Sequence, residues 1–140
     1  MQVKITSNVN KIAKALDKQG KDLDKAMQRA LSITAQEGIN IIEKRTERGV
    51  GFKGGEFEPY TDKYAKYRKD NRRGTKPNLE FSGKMLGDMS TKANRREANI
   101  FFLRATEAKK AAMNNKTRPF FGFNRKEKQK LTDVFFKVIK

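Results

Sequence analysis

Residues 81–123 read FSGKMLGDMSTKANRREANIFFLRATEAKKAAMNNKTRPFFGF, and the way they fold decides where the rest of the chain packs. Residues 85–93 and 98–104 flank a polar turn at Asn94, Arg95, Arg96 and Glu97, which predicts an antiparallel hairpin. Ile100, Phe101, Phe102 and Leu103 are apolar in succession, so both faces of that strand carry apolar side chains. Such a strand is expected at the centre of a sheet, or sandwiched between helices and a partner. Residues 106–113 are Ala-rich and predict a brief helix, which Asn114 and Asn115 end through a left-handed residue. Arg118, Pro119, Phe120, Phe121, Gly122 and Phe123 then predict a rigid, buried aromatic turn. Pro119 restricts the backbone on both of its sides, and Gly122 permits a tight bend.

On the N-terminal side, Val3 and Ile5 alternate with Gln2, Lys4 and Thr6, the period of a short strand at a sheet edge. Ser7, Asn8 and Asn10 offer helix caps. Ile12, Leu16, Leu23, Met27, Ala30, Leu31, Thr34, Gly38, Ile39 and Ile42 then recur at helical spacing. They predict an amphipathic helix from about Val9 to about Arg48. Gly20 interrupts it, giving either two helices or one long helix broken there, with Asp22 capping the restart. Lys11, Lys14, Lys18, Lys21, Lys25 and Arg29 make the opposite face, solvated or docked. Asp17, Asp22 and Asp24 are expected to pair with lysines of this same helix. Gly38 inside the pattern signals close helix packing or a kink.

Residues 49–59, GVGFKGGEFEP, predict a mobile loop on which Phe52 and Phe57 anchor either into the core or into a neighbouring subunit. The loop lacks the GxxxxGK[ST] pattern of a phosphate cradle. Residues 60–76, YTDKYAKYRKDNRRGTK, predict a short helix capped by Thr61 or Asp62 and carrying Tyr64, Tyr67 and Arg68. Its tyrosines, interleaved with Lys63, Lys66, Lys69, Arg72, Arg73 and Lys76, either stack on bases or pack the helix onto the sheet. Residues 70–77 read as a second flexible loop. Leu79 and Phe81 alternate before Ser82 and Gly83 turn the chain. At the far end Asn124 caps a last helix whose apolar face is Leu131, Val134, Phe135, Val138 and Ile139, too apolar to stay undocked.

The formal charge is +17, which reads either as binding to nucleic-acid phosphates, or as a soluble surface or a basic face that docks on an acidic protein. Cys and His are both absent, which removes disulfides, thiolate nucleophiles and the commonest general base. No apolar run approaches the length of a membrane span, and a cytoplasm is the expected place of folding. Glu56 and Glu58 sit on the Gly-rich loop, and Ser82 and Ser90 have no histidine to activate them. No catalytic, cofactor or metal site is therefore expected. The expected architecture is α+β, one domain over residues 1–140: a long N-terminal helix packed on a small antiparallel sheet, followed by a C-terminal helix.

Three motifs stand in order along the chain. GGEFEPYTDKYAKYR (residues 54–68) follows the pattern GxxFxPYTxxYAxxR, NLEFSGKML (residues 78–86) follows NLxxSGxML, and NNKTRPFFGF (residues 114–123) follows NNxxRPFFGF. Together they resemble the tailed-phage virion morphogenesis family of neck and tail-completion proteins, over nearly the whole chain. The resemblance implies a non-enzymatic subunit of a virion ring, a sixfold homo-oligomer between the portal side and the tail tube, that lets head and tail join. It implies neighbouring connector, tail-tube or terminator proteins as partners, contact with packaged DNA on the basic face, and no membrane. Gly55, Pro59, Tyr60, Tyr64, Ser82, Gly83, Leu86, Arg118, Pro119, Phe120 and Gly122 would hold the subunit fold. Phe57 stands where many relatives carry Trp. Docking is expected from the two loops, through Phe52, Lys53, Phe57, Arg68, Arg72 and Arg73. The alternative is a basic nucleic-acid-binding module.

Overall fold

The computed structural model describes residues 1–6, 22–80 and 83–139. The expected caps at Ser7, Asn8 and Asn10, the helix start at Val9, Ile12 and Leu16 lie outside the described residues. So do Lys11, Lys14, Asp17, Lys18, Lys21, the break at Gly20, and the turn residues Phe81 and Ser82. The fold is mixed α and β. Its elements are β1 (Gln2–Thr6), α1 (Leu23–Glu47), α2 (Asp62–Asp70), the single turn α3 (Lys84–Gly87), β2 (Met89–Ala93), β3 (Glu97–Phe102), α4 (Ala105–Thr117) and α5 (Arg125–Ile139).

The sheet is antiparallel throughout, in the order β1-β3-β2, with β1 at an edge and β3 in the middle as its apolar content predicts. Ile100 of β3 lies opposite Val3 and Thr91, and Phe102 lies opposite Met89. Of the two expected placements β3 takes the central one, with one face in the core. The pleat sends Ala98, Ile100 and Phe102 into the core, while Glu97, Asn99 and Phe101 face the other way and are half-buried. Asn99 lies opposite Lys4 and Lys92, so that second face is largely polar. Leu103 is past the end of the strand and 68% exposed. The hairpin is shorter than predicted. Met85 and Leu86 belong to α3, and Leu103 N–H donates to Asp88 O at 3.2 Å, closing the hairpin's open end.

Helix α1 lies on the core face of the sheet and buries Met27, Ala30, Leu31, Thr34, Gly38, Ile39 and Ile42 of the predicted stripe, and Ala35 besides, while Leu23 is half-buried. Gly38 serves close packing rather than a kink, since a Cβ there would stand 2.9 Å from both Ile100 Cδ1 and Phe123 Cζ. Asp22 occupies the N-cap position without capping. Its backbone is helical (φ −85°, ψ −8°), whereas a side-chain cap requires extended geometry. Asp24 pairs with Arg95 of the hairpin turn at 3.1 Å.

The crossover helix α4 is longer than expected. Asn114 and Asn115 lie inside it, and Asn115 Oδ1 accepts from Phe120 N–H and Phe121 N–H, each at 3.0 Å. Asn115 therefore binds the aromatic turn, Asn114 Nδ2 donates back to Lys110 O at 2.9 Å, and neither ends the helix. Asn124 caps α5 as predicted, and reciprocally: Glu127 N–H donates to Asn124 Oδ1 at 2.9 Å, and Asn124 N–H donates to Glu127 Oε1 at 3.0 Å. Helix α5 buries Leu131 and Phe135, and its main helical neighbour is α1. Each such side chain contributes about 1.5–3 kcal/mol.

Candidate functional site: the motif node and its cleft

Thr61 caps α2 with its side chain, accepting from Tyr64 N–H at 3.3 Å. From that start, helical spacing puts Tyr64, Tyr67 and Arg68 on neighbouring positions of one face, with Arg68 5.9 Å from the Tyr64 ring centroid and Tyr60 just before the cap. Arg68 is 2% exposed. Its Nε donates to Gly74 O at 2.7 Å, and its NH2 donates to Asn78 Oδ1 at 3.3 Å and to Glu80 O at 3.0 Å. The guanidinium so wraps the loop after α2 around itself. Leu79 N–H donates to Tyr60 Oη at 3.0 Å, which fixes Leu79 in a left-handed conformation (φ +58°) that β- or γ-branched residues rarely adopt.

Arg118 closes the node from the other side. Its Nε donates to Glu58 O at 2.7 Å and its NH2 to Pro59 O at 2.9 Å. The Tyr60 ring receives both guanidiniums, Arg68 at 4.9 Å and Arg118 at 4.8 Å from its centroid. Tyr64 meets Tyr60 edge-on at 4.9 Å and lies nearly parallel to Tyr67 at 6.1 Å. Beside these rings opens a cleft of about 460 Å³, lined in part by Tyr64, Tyr67, Lys84, Glu107, Lys110 and Arg118.

The Gly-rich loop is hydrogen-bonded to itself and to the aromatic turn. Val50 bridges Glu56, Gly51 N–H donates to Gly55 O at 2.9 Å, and Phe52 N–H donates to Pro119 O at 3.1 Å. Phe57 resolves to the core, 6% exposed. The half-buried Phe52 ring covers Gly122, where a Cβ would lie 2.9 Å from ring carbons, and the chain bends at Phe121 and Gly122 as expected. Gly55 is different: nothing stands within 4 Å of a Cβ built there, so only its carbonyl takes part in the fold. Leu86 and Phe120 are buried, at 5% and 0% exposure, and Gly83 takes φ +77° at the start of α3.

Of the expected docking residues, Arg68 and Phe57 are therefore interior, Phe52 is packed, and Lys53, Arg72 and Arg73 are exposed. Arg45 is the residue the sequence reading missed. At 3% exposure it reaches Glu127 with NH1 at 2.6 Å to both carboxylate oxygens, and donates with NH2 to Phe120 O at 2.5 Å and Gly122 O at 3.0 Å. It pins α5 and the aromatic turn to α1. The Asn-x-x-Glu spacing at Asn124 and Glu127 is the sequence signal for half of that arrangement. On the opposite face of α1, burial raises the carboxyl of Glu43 above the usual glutamate range, and the charges of Glu47 and Glu80 raise it further.

Among the described residues no cluster of three or more Asp and Glu could hold a metal ion, and no helix is long and apolar enough to cross a membrane. No protein-family model, no curated protein and no solved structure matches the chain.

Proposed function

We propose that the chain is a structural subunit of a tailed phage, forming a ring at the head–tail junction that lets head and tail join. The observation supporting this is the convergence of its three motifs. Arg118 of the third motif holds Glu58 and Pro59 of the first, and Arg68 of the first holds Asn78 and Glu80 of the second. Motifs that bind one another in this way keep a subunit's shape, which is the role the resemblance gives them. What remains outside is material for neighbours: the basic Lys53 and Arg72 on two loops, and the exposed apolar side chains Ile33, Leu103, Met113 and Phe136.

A ring of this kind works by geometry. Each subunit offers one patch to a different patch on its neighbour, and the rotation between them closes the circle and fixes the copy number. Subunits of charge +17 repel one another, so closure is favoured by an acidic ring above or below, or by DNA in the channel. The same charge is what favours the second reading, a basic nucleic-acid-binding module, which predicts DNA affinity falling steeply with salt. Quantitative mass spectrometry of purified virions of the encoding phage separates the two. The ring reading expects about six copies per particle, as a closed ring of the implied symmetry holds. Absence from virions overturns it.

A further inference from the structure

Glu107 stands in the first turn of α4 and is only 4% exposed, yet it lines the cleft beside Tyr64 and Tyr67. Its Oε1 accepts from Lys110 Nζ at 3.2 Å, while its Oε2 is buried without a hydrogen-bond partner. Folded chains rarely leave a buried acceptor unsatisfied, so this one marks a place where a donor belongs. Around it are the near-parallel rings of Tyr64 and Tyr67, 37% and 53% exposed, and three cations, Lys84, Lys110 and Arg118. The cleft volume falls in the range of small-molecule sites.

We infer that this cleft binds a nucleotide through its base. The base stacks on Tyr64 and Tyr67, its N–H groups donate to the Glu107 carboxylate, and its phosphate lies among Lys84, Lys110 and Arg118. A carboxylate only accepts, so the ligand must donate, and the exposed rings ask for a flat partner. Three cations against one carboxylate, on a chain of charge +17, favour an anion over a basic protein segment. Guanine fits best, because adjacent N1–H and N2–H groups match the two carboxylate oxygens. Uracil and thymine fit worst, because their single N3–H lies between two carbonyls that repel the carboxylate. As the base arrives, the Lys110 ammonium leaves Glu107 for the phosphate. A free nucleotide and a base splayed from a single strand offer the same chemistry. The site lies within one chain and stands apart from the ring proposal.

All three tyrosines of the chain line this cleft and the chain has no Trp, so its intrinsic emission reports on the cleft alone. The full chain is titrated with GMP, with UMP, and with a thymine-run oligonucleotide holding one guanine, correcting for nucleotide absorbance. GMP is expected to bind about tenfold more tightly than UMP. In Glu107→Gln the preference falls to about threefold or less, and in Tyr64→Leu, followed by calorimetry, both nucleotides weaken about tenfold. GMP binding as tightly as the oligonucleotide assigns a free nucleotide. An oligonucleotide about tenfold tighter assigns a single strand. Equal affinity for GMP and UMP, a guanine preference surviving in Glu107→Gln, or no response to any nucleotide overturns the inference. Emission that moves only with an arginine-rich peptide also overturns it and assigns the cleft to a protein segment.

Discussion

Replacing Arg45 by Met should cost the protein about a fifth or more of its stability. The side chain joins three elements: two bonds to Glu127 on α5, one to Phe120 O and one to Gly122 O, all from a residue of α1. Met fills much of the same space, so the loss is electrostatic rather than a cavity. Glu127 is 15% exposed, and without Arg45 its charge is left largely desolvated beside two carbonyls that have lost their donors. Breaking a buried pair from one side costs about 3–5 kcal/mol, against a total of about 5–15 kcal/mol for a domain. With an unfolding entropy of about 2.1 cal/mol/K per residue, the melting temperature of a chain this long should fall by about 10 °C or more. Thermal unfolding followed by circular dichroism measures this. Because the pair is buried, the drop should be nearly the same at low and high salt. A fall under about 3 °C, or one that salt abolishes, would refute the idea that Arg45 pins α5 and the aromatic turn to α1.

Phe120→Ala empties a site with no solvent exposure and should cost about 3–5 kcal/mol in urea unfolding; a variant that stays fully stable but no longer assembles would make the aromatic turn an interface instead. Gly122→Ala must push the Phe52 ring aside and should destabilise by about 1–3 kcal/mol, whereas Gly55→Ala, with open space around it, should change stability by less than about 0.5 kcal/mol; equal effects would contradict the packing described. Glu43→Gln should be more stable than the parent at neutral pH. Burial raises the folded carboxyl above its unfolded value, so folding favours the protonated form; that contribution is complete below the unfolded value and is lost as pH rises through the raised one. The gap between the two proteins should therefore close as the pH falls through the glutamate range, and a gap that widens in acid would show the sign to be wrong.

Periodicity made the secondary structure legible. The stripe from Met27 to Ile42 predicted α1, the alternation of Val3 and Ile5 predicted an edge strand, and the consecutive apolar residues around Ile100 placed β3 in the middle. The errors lay where polar side chains act over distance. Asn114 and Asn115 read as a helix end because asparagine tolerates left-handed backbone, but the carboxamide of Asn115 serves the aromatic turn five and six residues on. Arg68 read as a docking cation because charge is usually solvated. Its burial rests on carbonyls of a loop that curls back only in three dimensions. Arg45 was hidden for the same reason, since its partner Glu127 is 82 residues away. The Glu107 cleft had no sequence signal: α2, α3 and α4 each supply part of it, and no spacing within one element marks it.

The central claim, that this chain joins head to tail, is tested most directly by electron microscopy of a lysate from the encoding phage with its gene deleted. The account predicts DNA-filled heads and separate, unattached tails, with attachment restored when the protein is supplied. Tails of irregular length or with unfinished ends would place the same subunit at the tail terminus instead. Normal, infectious particles would contradict a role in assembly.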